Sequence, residues 1–141
     1  MNRNRKIKMY SFTLDCTDPY KLATFYAHLL DWEIPFYNEE FACVGAPGTG
    51  QGAYPGITFQ RNPAYKPPVW PEEPGAQQQM AHLDFAVNHL EDAVEHAIHC
   101  GATVAEKQFS EGWRVMLDPA GHPFCLCEME SIFESAHFAL L

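Results

Sequence analysis

His82 is the side chain of this chain best suited to proton transfer. An imidazole has an ordinary pKa of about 6.5, so it changes charge near neutral pH and accepts or donates a proton toward a bound ligand. Residues 80–87 alternate in polarity. His82, Asp84 and Ala86 therefore share one strand face, and Leu83, Phe85 and Val87 share the other. The same spacing permits a purely structural histidine, bonded to Asp84 or to a backbone carbonyl. Cys125 and Cys127 repeat along one strand face, about 7 Å apart, and read as two small lining residues rather than a redox pair. His82 with Cys125 amounts to half of a soft zinc site, and no donor is evident for the other half. Glu128 lies three residues past Cys125 and faces away on a regular strand. The expectation is therefore no bound metal.

Strand parity supplies further ligand-binding candidates, Ser11 and Asp84 among them. Arg114 is, with Lys107, the only basic residue after Lys66. Its planar guanidinium suits a bidentate bond to a carboxylate or phosphate, or else a salt bridge with one of the many glutamates. Met116 shares its face and offers adaptable apolar lining. Thr58 and Gln60 offer neutral hydrogen bonds. Trp70, Trp113 and Phe124 could stack on a flat ligand or simply pack. His96 and His99 stand at i, i+3 on a helix, but Ala97 and Ile98 take its buried stripe and turn both histidines to solvent.

The elements that must position these groups form two copies of one pattern. Phe12, Leu14, Cys16, Leu22, Ala23 and Tyr26 recur 71 residues later as Leu83, Phe85, Val87, Ala93, Val94 and Ala97. A period near half the chain means two supersecondary units with a cleft between them, not a solenoid. The first unit (about 8–60) reads as a strand at 9–16, a helix opened by Asp18-Pro19, and strands at 32–37, 41–44 and 56–60. The second (80–128) reads as a strand at 80–87, then a helix with Asn88 and Glu91 as a capping box and Gly101 closing it. Strands follow at 103–109, 113–117 and 123–128, the last two joined by the turn Asp118-Pro119-Ala120-Gly121. Each unit is β-α-β-β-β. Residues 61–79 hold five prolines and read as a stiff, extended linker. The glycine-rich loop 45–56 lacks the lysine and spacing of a phosphate cradle. The apolar tail at 129–141 is expected to pack on its own domain or across a dimer.

Composition bounds the function. A chain of 141 residues, 47% hydrophobic, is long enough for one packed domain. The net charge of −9 disfavours binding to a phosphate backbone, so no nucleic-acid partner is expected. No apolar stretch reaches membrane-span length, and the basic start lacks the apolar run of a signal peptide. Five cysteines, an odd number at irregular spacing, argue against a disulfide framework. These features predict a cytoplasmic protein without a membrane partner.

The duplicated unit resembles the glyoxalase / bleomycin-resistance / extradiol-dioxygenase superfamily, the vicinal oxygen chelate proteins, and most of all its glyoxalase-like subgroup. Three runs carry the resemblance: Asp18…Phe25-Tyr26…Leu29-Leu30, His82-Leu83-Asp84-Phe85-Ala86-Val87…Cys100-Gly101-Ala102, and Asp118-Pro119-Ala120-Gly121-His122-Pro123-Phe124. The resemblance implies an α+β fold. Its two βαβββ modules would form a cupped, partly open mixed-sheet barrel in one domain over 1–141, with helices on the convex side. It also implies a homodimer. Metal-dependent members place ligands at four cup positions. Here these fall on Ser11, on Thr58 (or Gln60 if the register slips by two), on His82 and on Cys125, so only the histidine matches. The expected function is a small-molecule binder of the drug-resistance type, with its ligand in the cup and no cofactor or catalytic metal. The alternative is a lyase, isomerase or dioxygenase whose metal or acid–base chemistry centres on His82.

Overall fold

The structure is a computed structural model that describes residues 5–48 and 55–129. Part of the glycine-rich loop and nearly all of the C-terminal tail lie outside these residues. The chain divides into two compact units, Met1–Tyr65 and Lys66–Leu141. The boundary falls within the proline-rich linker, most of which belongs to the second unit.

In the first unit β1 (Ser11–Cys16) leads into α1 (Pro19–Leu30), followed by β2 (Glu33–Tyr37), β3 (Phe41–Gly45) and β4 (Gly56–Arg61). The sheet order is β1-β4-β3-β2, with β1 and β4 parallel and the other neighbours antiparallel. Asp18 caps α1 as its sequence predicts: the carboxylate accepts from the Lys21 N–H at 3.1 Å, and Pro19 fills the first turn. Leu22, Phe25 and Tyr26 are buried along one stripe, and Tyr26 stacks on Phe59 of β4 with ring centroids 5.4 Å apart. Leu14 and Cys16 are buried, while Thr13 and Asp15 of the same strand are exposed.

The second unit repeats the plan. β5 (Leu83–Val87), α2 (Leu90–Cys100), β6 (Thr103–Val104), β7 (Trp113–Leu117) and β8 (Pro123–Glu128) form a sheet of order β5-β8-β7-β6. The parallel pair again joins the first and last strands. Two identical strand orders are what the 71-residue repeat demands. Leu90, Val94 and Ala97 are the buried residues of α2. Among the described residues no helix is long and apolar enough to cross a membrane.

Four local expectations fail, each for a physical reason. His89, not Asn88, stands at the N-cap of α2 and gives no side-chain cap; the Asn88 side-chain Oδ1 accepts from the neighbouring His89 N–H, at 3.0 Å. Ile98 lies off the buried stripe and is half exposed. The linker is not simply extended: Val69 N–H donates to the Gln77 carbonyl and Ala76 N–H to Glu73, folding 69–77 into a loop. Pro67 of this strap presses on Gly121, where an added Cβ would come within 2.9 Å of the proline Cβ. Finally, the strand expected over 103–109 ends at Val104. Beyond Ala105 the Gln108 side-chain amide takes over the ladder. Its Nε2 donates to the Ala105 and Val115 carbonyls at 2.8 and 2.9 Å, and its Oε1 accepts from the Val115 N–H at 2.8 Å. One side chain thus does the pairing of a missing strand residue.

Replacing this amide tests the substitution of side chain for backbone. Gln108→Leu leaves part-buried backbone groups unpaired and is expected to destabilise the protein by about 1–3 kcal/mol, seen as a lower urea midpoint at an unchanged slope.

Candidate functional site

Register brings the candidate residues together. In the parallel pair Asp84 stands beside Cys125 and Phe85 beside Leu126. Side chains alternate along each strand, so Asp84, Cys125 and Cys127 share the face away from α2, while Phe124 and Leu126 are buried on the helix side with the partly buried Phe85 packed against Phe124. His82, just before β5, reaches the same outer face. Its Nε2 lies 3.1 Å from Asp84 Oδ1, the partner its spacing suggested. Donor atoms of His82, Asp84 and Cys125 all lie within 4.8 Å of one another. The side chains of His82 and Asp84 are 39% and 61% exposed, so solvent reaches them, whereas Cys125 is buried.

The sulfur sits in an apolar setting. Cys125 clusters with Ala105 and Val115, and Trp70, Leu117 and Cys127 pack against that cluster. Burial pushes the Cys125 thiol up to about 12, with the negative charges of Asp84 and Cys127 and a hydrogen bond to Asp84 adding to the effect. Burial also raises Cys127, again with Asp84 contributing. Without a nearby cation, neither sulfur is a ready nucleophile at neutral pH.

Trp70 is the strap residue that meets this surface. Its ring packs edge-on to Phe109 with centroids 5.9 Å apart. It also lines a cavity of about 470 Å³ within the strap, together with Val69, Gln79 and Met80. The Trp70 Nε1 donor and the Gln79 Oε1 acceptor are both buried there without a hydrogen-bond partner.

The remaining candidates fall elsewhere. Ser11 and Thr58 do meet, their hydroxyls 2.6 Å apart, in the first unit. Gln60 is exposed two residues along β4. Arg114 and Met116 are corrections: the register pairs them with Leu126 and Phe124, the core-side residues of β8. Met116 is fully buried, and Arg114 donates to Glu91 of α2 at 2.7 Å, the salt-bridge alternative. Alternation separates the odd from the even positions of β7 but does not say which set the helix covers. Trp113, Val115 and Leu117 are the β7 residues of the outer face. Phe124 is buried on the core side with its ring edge-on to Phe85. His96 and His99 are exposed as expected, and His96 approaches Cys100 with Nε2 3.7 Å from the sulfur.

Asp84 adds a third donor beside His82 and Cys125, a group that could hold a metal ion. The repeat itself held the signal: the 71-residue offset carries Ser11 onto His82 and Thr13 onto Asp84. Thr13 pairs with Thr58 as Asp84 pairs with Cys125. One unit bears three hydroxyls at these positions, and the other bears an imidazole, a carboxylate and a thiol.

A family model described as a glyoxalase-like domain matches residues 11–127. No curated protein sequence matches. Among solved structures, a glyoxalase/bleomycin resistance protein/dioxygenase family enzyme from Burkholderia phytofirmans PsJN is similar at 18% identity and TM-score 0.62, over 86% of this chain and 98% of that one. The trypanothione-dependent glyoxalase I of Leishmania major is similar at 12% identity and TM-score 0.61, over 92% and 91%. A glyoxalase family protein from Enterococcus faecalis is similar at 17% identity and TM-score 0.60, over 86% and 97%. At these identities the likeness is one of fold.

The raised thiol has a measurable pH signature in chelator-treated protein. Cys125 keeps its proton in the folded state to about pH 12, whereas an unfolded thiol loses it near pH 8.5. Its stabilising contribution is therefore complete below the unfolded value and is lost as pH rises through the folded one. Urea midpoints measured from pH 8 to 11 should fall more steeply in the native protein than in Cys125→Ser.

Proposed function

Because this chain belongs to the glyoxalase-like domain family, we propose that it binds and transforms a small organic molecule at the strand face that carries His82. The reaction class is that of the vicinal oxygen chelate enzymes, a lyase, isomerase or dioxygenase with metal or acid–base chemistry centred on this histidine. The observation that supports it is the convergence of three donors, His82, Asp84 and Cys125, within 4.8 Å.

His82 and Asp84 suffice for acid–base work on their own. When Asp84 accepts the Nε2–H of a neutral imidazole, the tautomer is fixed and Nδ1 carries the lone pair, ready to take a proton. A divalent ion fits the same residues. Donors around one zinc ion lie roughly 3.5 Å apart by ordinary bond lengths, within the spread already present. Bound there by His82, Asp84 and Cys125, such an ion would polarise an oxygen of the substrate. Trp70, packed beside Cys125 and lining the strap cavity, would supply an aromatic plane for the molecule.

A metal-free binder of the drug-resistance type is the second reading. It is favoured by Ser11 and Thr58, which hydrogen-bond each other and offer an ion no charge. On either reading the protein is a cytoplasmic homodimer. Its five free cysteines suit a reducing compartment, and sedimentation would check the assembly.

A thermal-shift screen against hydrophobic and aromatic acids tests the site. A ligand at 100-fold its Kd stabilises by about 2.7 kcal/mol, a Tm rise of roughly 5–10 °C for a domain of this size. The rise should vanish in His82→Ala. A hit indifferent to that substitution would move the site elsewhere, and no hit at all would defeat both readings.

A further inference from the structure

The cavity of about 470 Å³ lies wholly within the strap, and none of its lining residues belongs to β5 or β8. We propose that it is a binding site in its own right, for a small cationic carboxamide: a molecule that joins an amide group to a protonated amine. Three observations carry this. First, two polar atoms are stranded there. The Trp70 Nε1–H is a donor without an acceptor, and Gln79 Oε1 is an acceptor without a donor; both are buried. Such atoms have given up water for nothing, so a ligand that pairs them recovers what burial cost. Their needs are complementary. A carboxamide brings a carbonyl oxygen for the indole and an N–H for the glutamine. A carboxylate brings acceptors alone and leaves Gln79 unpaired.

Second, the charge at the cavity has one sign. Glu72 and Glu73 line it and are exposed. Among the described residues neither takes part in an ion pair, and no lysine, arginine or histidine lines the cavity. In a chain of net charge −9, that field draws in a cation and turns away an acid. The Trp70 ring adds a face on which an ammonium or an aromatic group packs. Third, the strap loop can adjust. It is closed by Val69 N–H on the Gln77 carbonyl at 2.9 Å and by Ala76 N–H on the Glu73 carbonyl at 3.1 Å. Met80, at the cavity wall, holds φ at 65°, in the left-handed region where such a side chain is uncommon, and is 82% exposed. A small outward movement of residues 69–77 brings both stranded atoms within reach of a ligand, and the hydrogen bonds they gain favour that state. The cavity needs neither His82 nor Asp84, so the two sites stand or fall separately.

Phenylalaninamide is the probe, read by the indole N–H signals of isotope-labelled protein. Three tryptophans give three signals, and Trp70→Phe assigns one of them. The expected result is a saturable downfield shift of the Trp70 indole proton as it gains an acceptor, with the Trp32 and Trp113 signals unmoved. Hydrocinnamamide, which lacks the amine, and phenylalanine, which lacks the amide, should each bind at least about threefold more weakly. Glu72→Gln combined with Glu73→Gln, at exposed positions that do not threaten folding, should weaken phenylalaninamide by about three- to tenfold and leave hydrocinnamamide unchanged. Gln79→Leu should weaken both amides, and His82→Ala should weaken neither. The absence of a saturable Trp70 shift overturns the proposal. So does equal binding of phenylalanine or hydrocinnamamide, or indifference to the paired glutamate substitution. A shift lost in His82→Ala overturns it as well, because the amide would then sit at the His82 face. A Tm rise with small acids that needs His82 is untouched by any of these outcomes.

Discussion

The parallel hydrogen bonding of β5 with β8 is the constraint from which the site follows. It sets Asp84 beside Cys125 on one face and Phe85 beside Leu126 on the other. A slip of one residue would exchange the two faces, sending a carboxylate into the core beneath α2 and a phenylalanine into water. Burial of Phe124 and Leu126 resists that slip. Hydrophobic packing on the helix side therefore holds the chemistry on the opposite side, and neither is separable from the other.

The outer face is not simply solvated. Trp70 lies over part of it, and the strap that carries Trp70 is held through Pro67 against the turn that joins β7 to β8. That turn is itself rigid. The Asp118 carboxylate is fully buried and accepts from the Ala120 and His122 N–H groups, with the His122 ring 2.8 Å away. A buried carboxylate so well partnered does not need to leave its site. The aspartate in the closing sequence run therefore serves positioning: it fixes the turn, the turn seats the strap, and the strap dries the sulfur.

Duplication explains how one half came to carry the chemistry. The two sheets have the same strand order, so equivalent positions see equivalent surroundings. Ser11, Thr13 and Thr58 hold small neutral hydroxyls where His82, Asp84 and Cys125 hold ionisable groups. The backbone offers two frames of one kind, and of the two only the second carries ionisable groups at these three positions.

The repeat, the two βαβββ units, the Asp18 cap and the pairing of His82 with Asp84 were legible in the sequence, because each depends on neighbours a few residues apart or on a pattern stated twice. The short β6 was not: Gln108 replaces a strand by a side-chain bond that no propensity registers. Nor were the faces of Arg114 and Met116. Period two divides a strand into two sets, but only the helix packed on one of them tells inside from outside. Asp84 and Cys125 stand 41 residues apart in the chain, and composition gives no hint that they touch. Local sequence determined which groups were available; the long-range register, a matter of how whole strands bury their apolar sides, decided which of them meet.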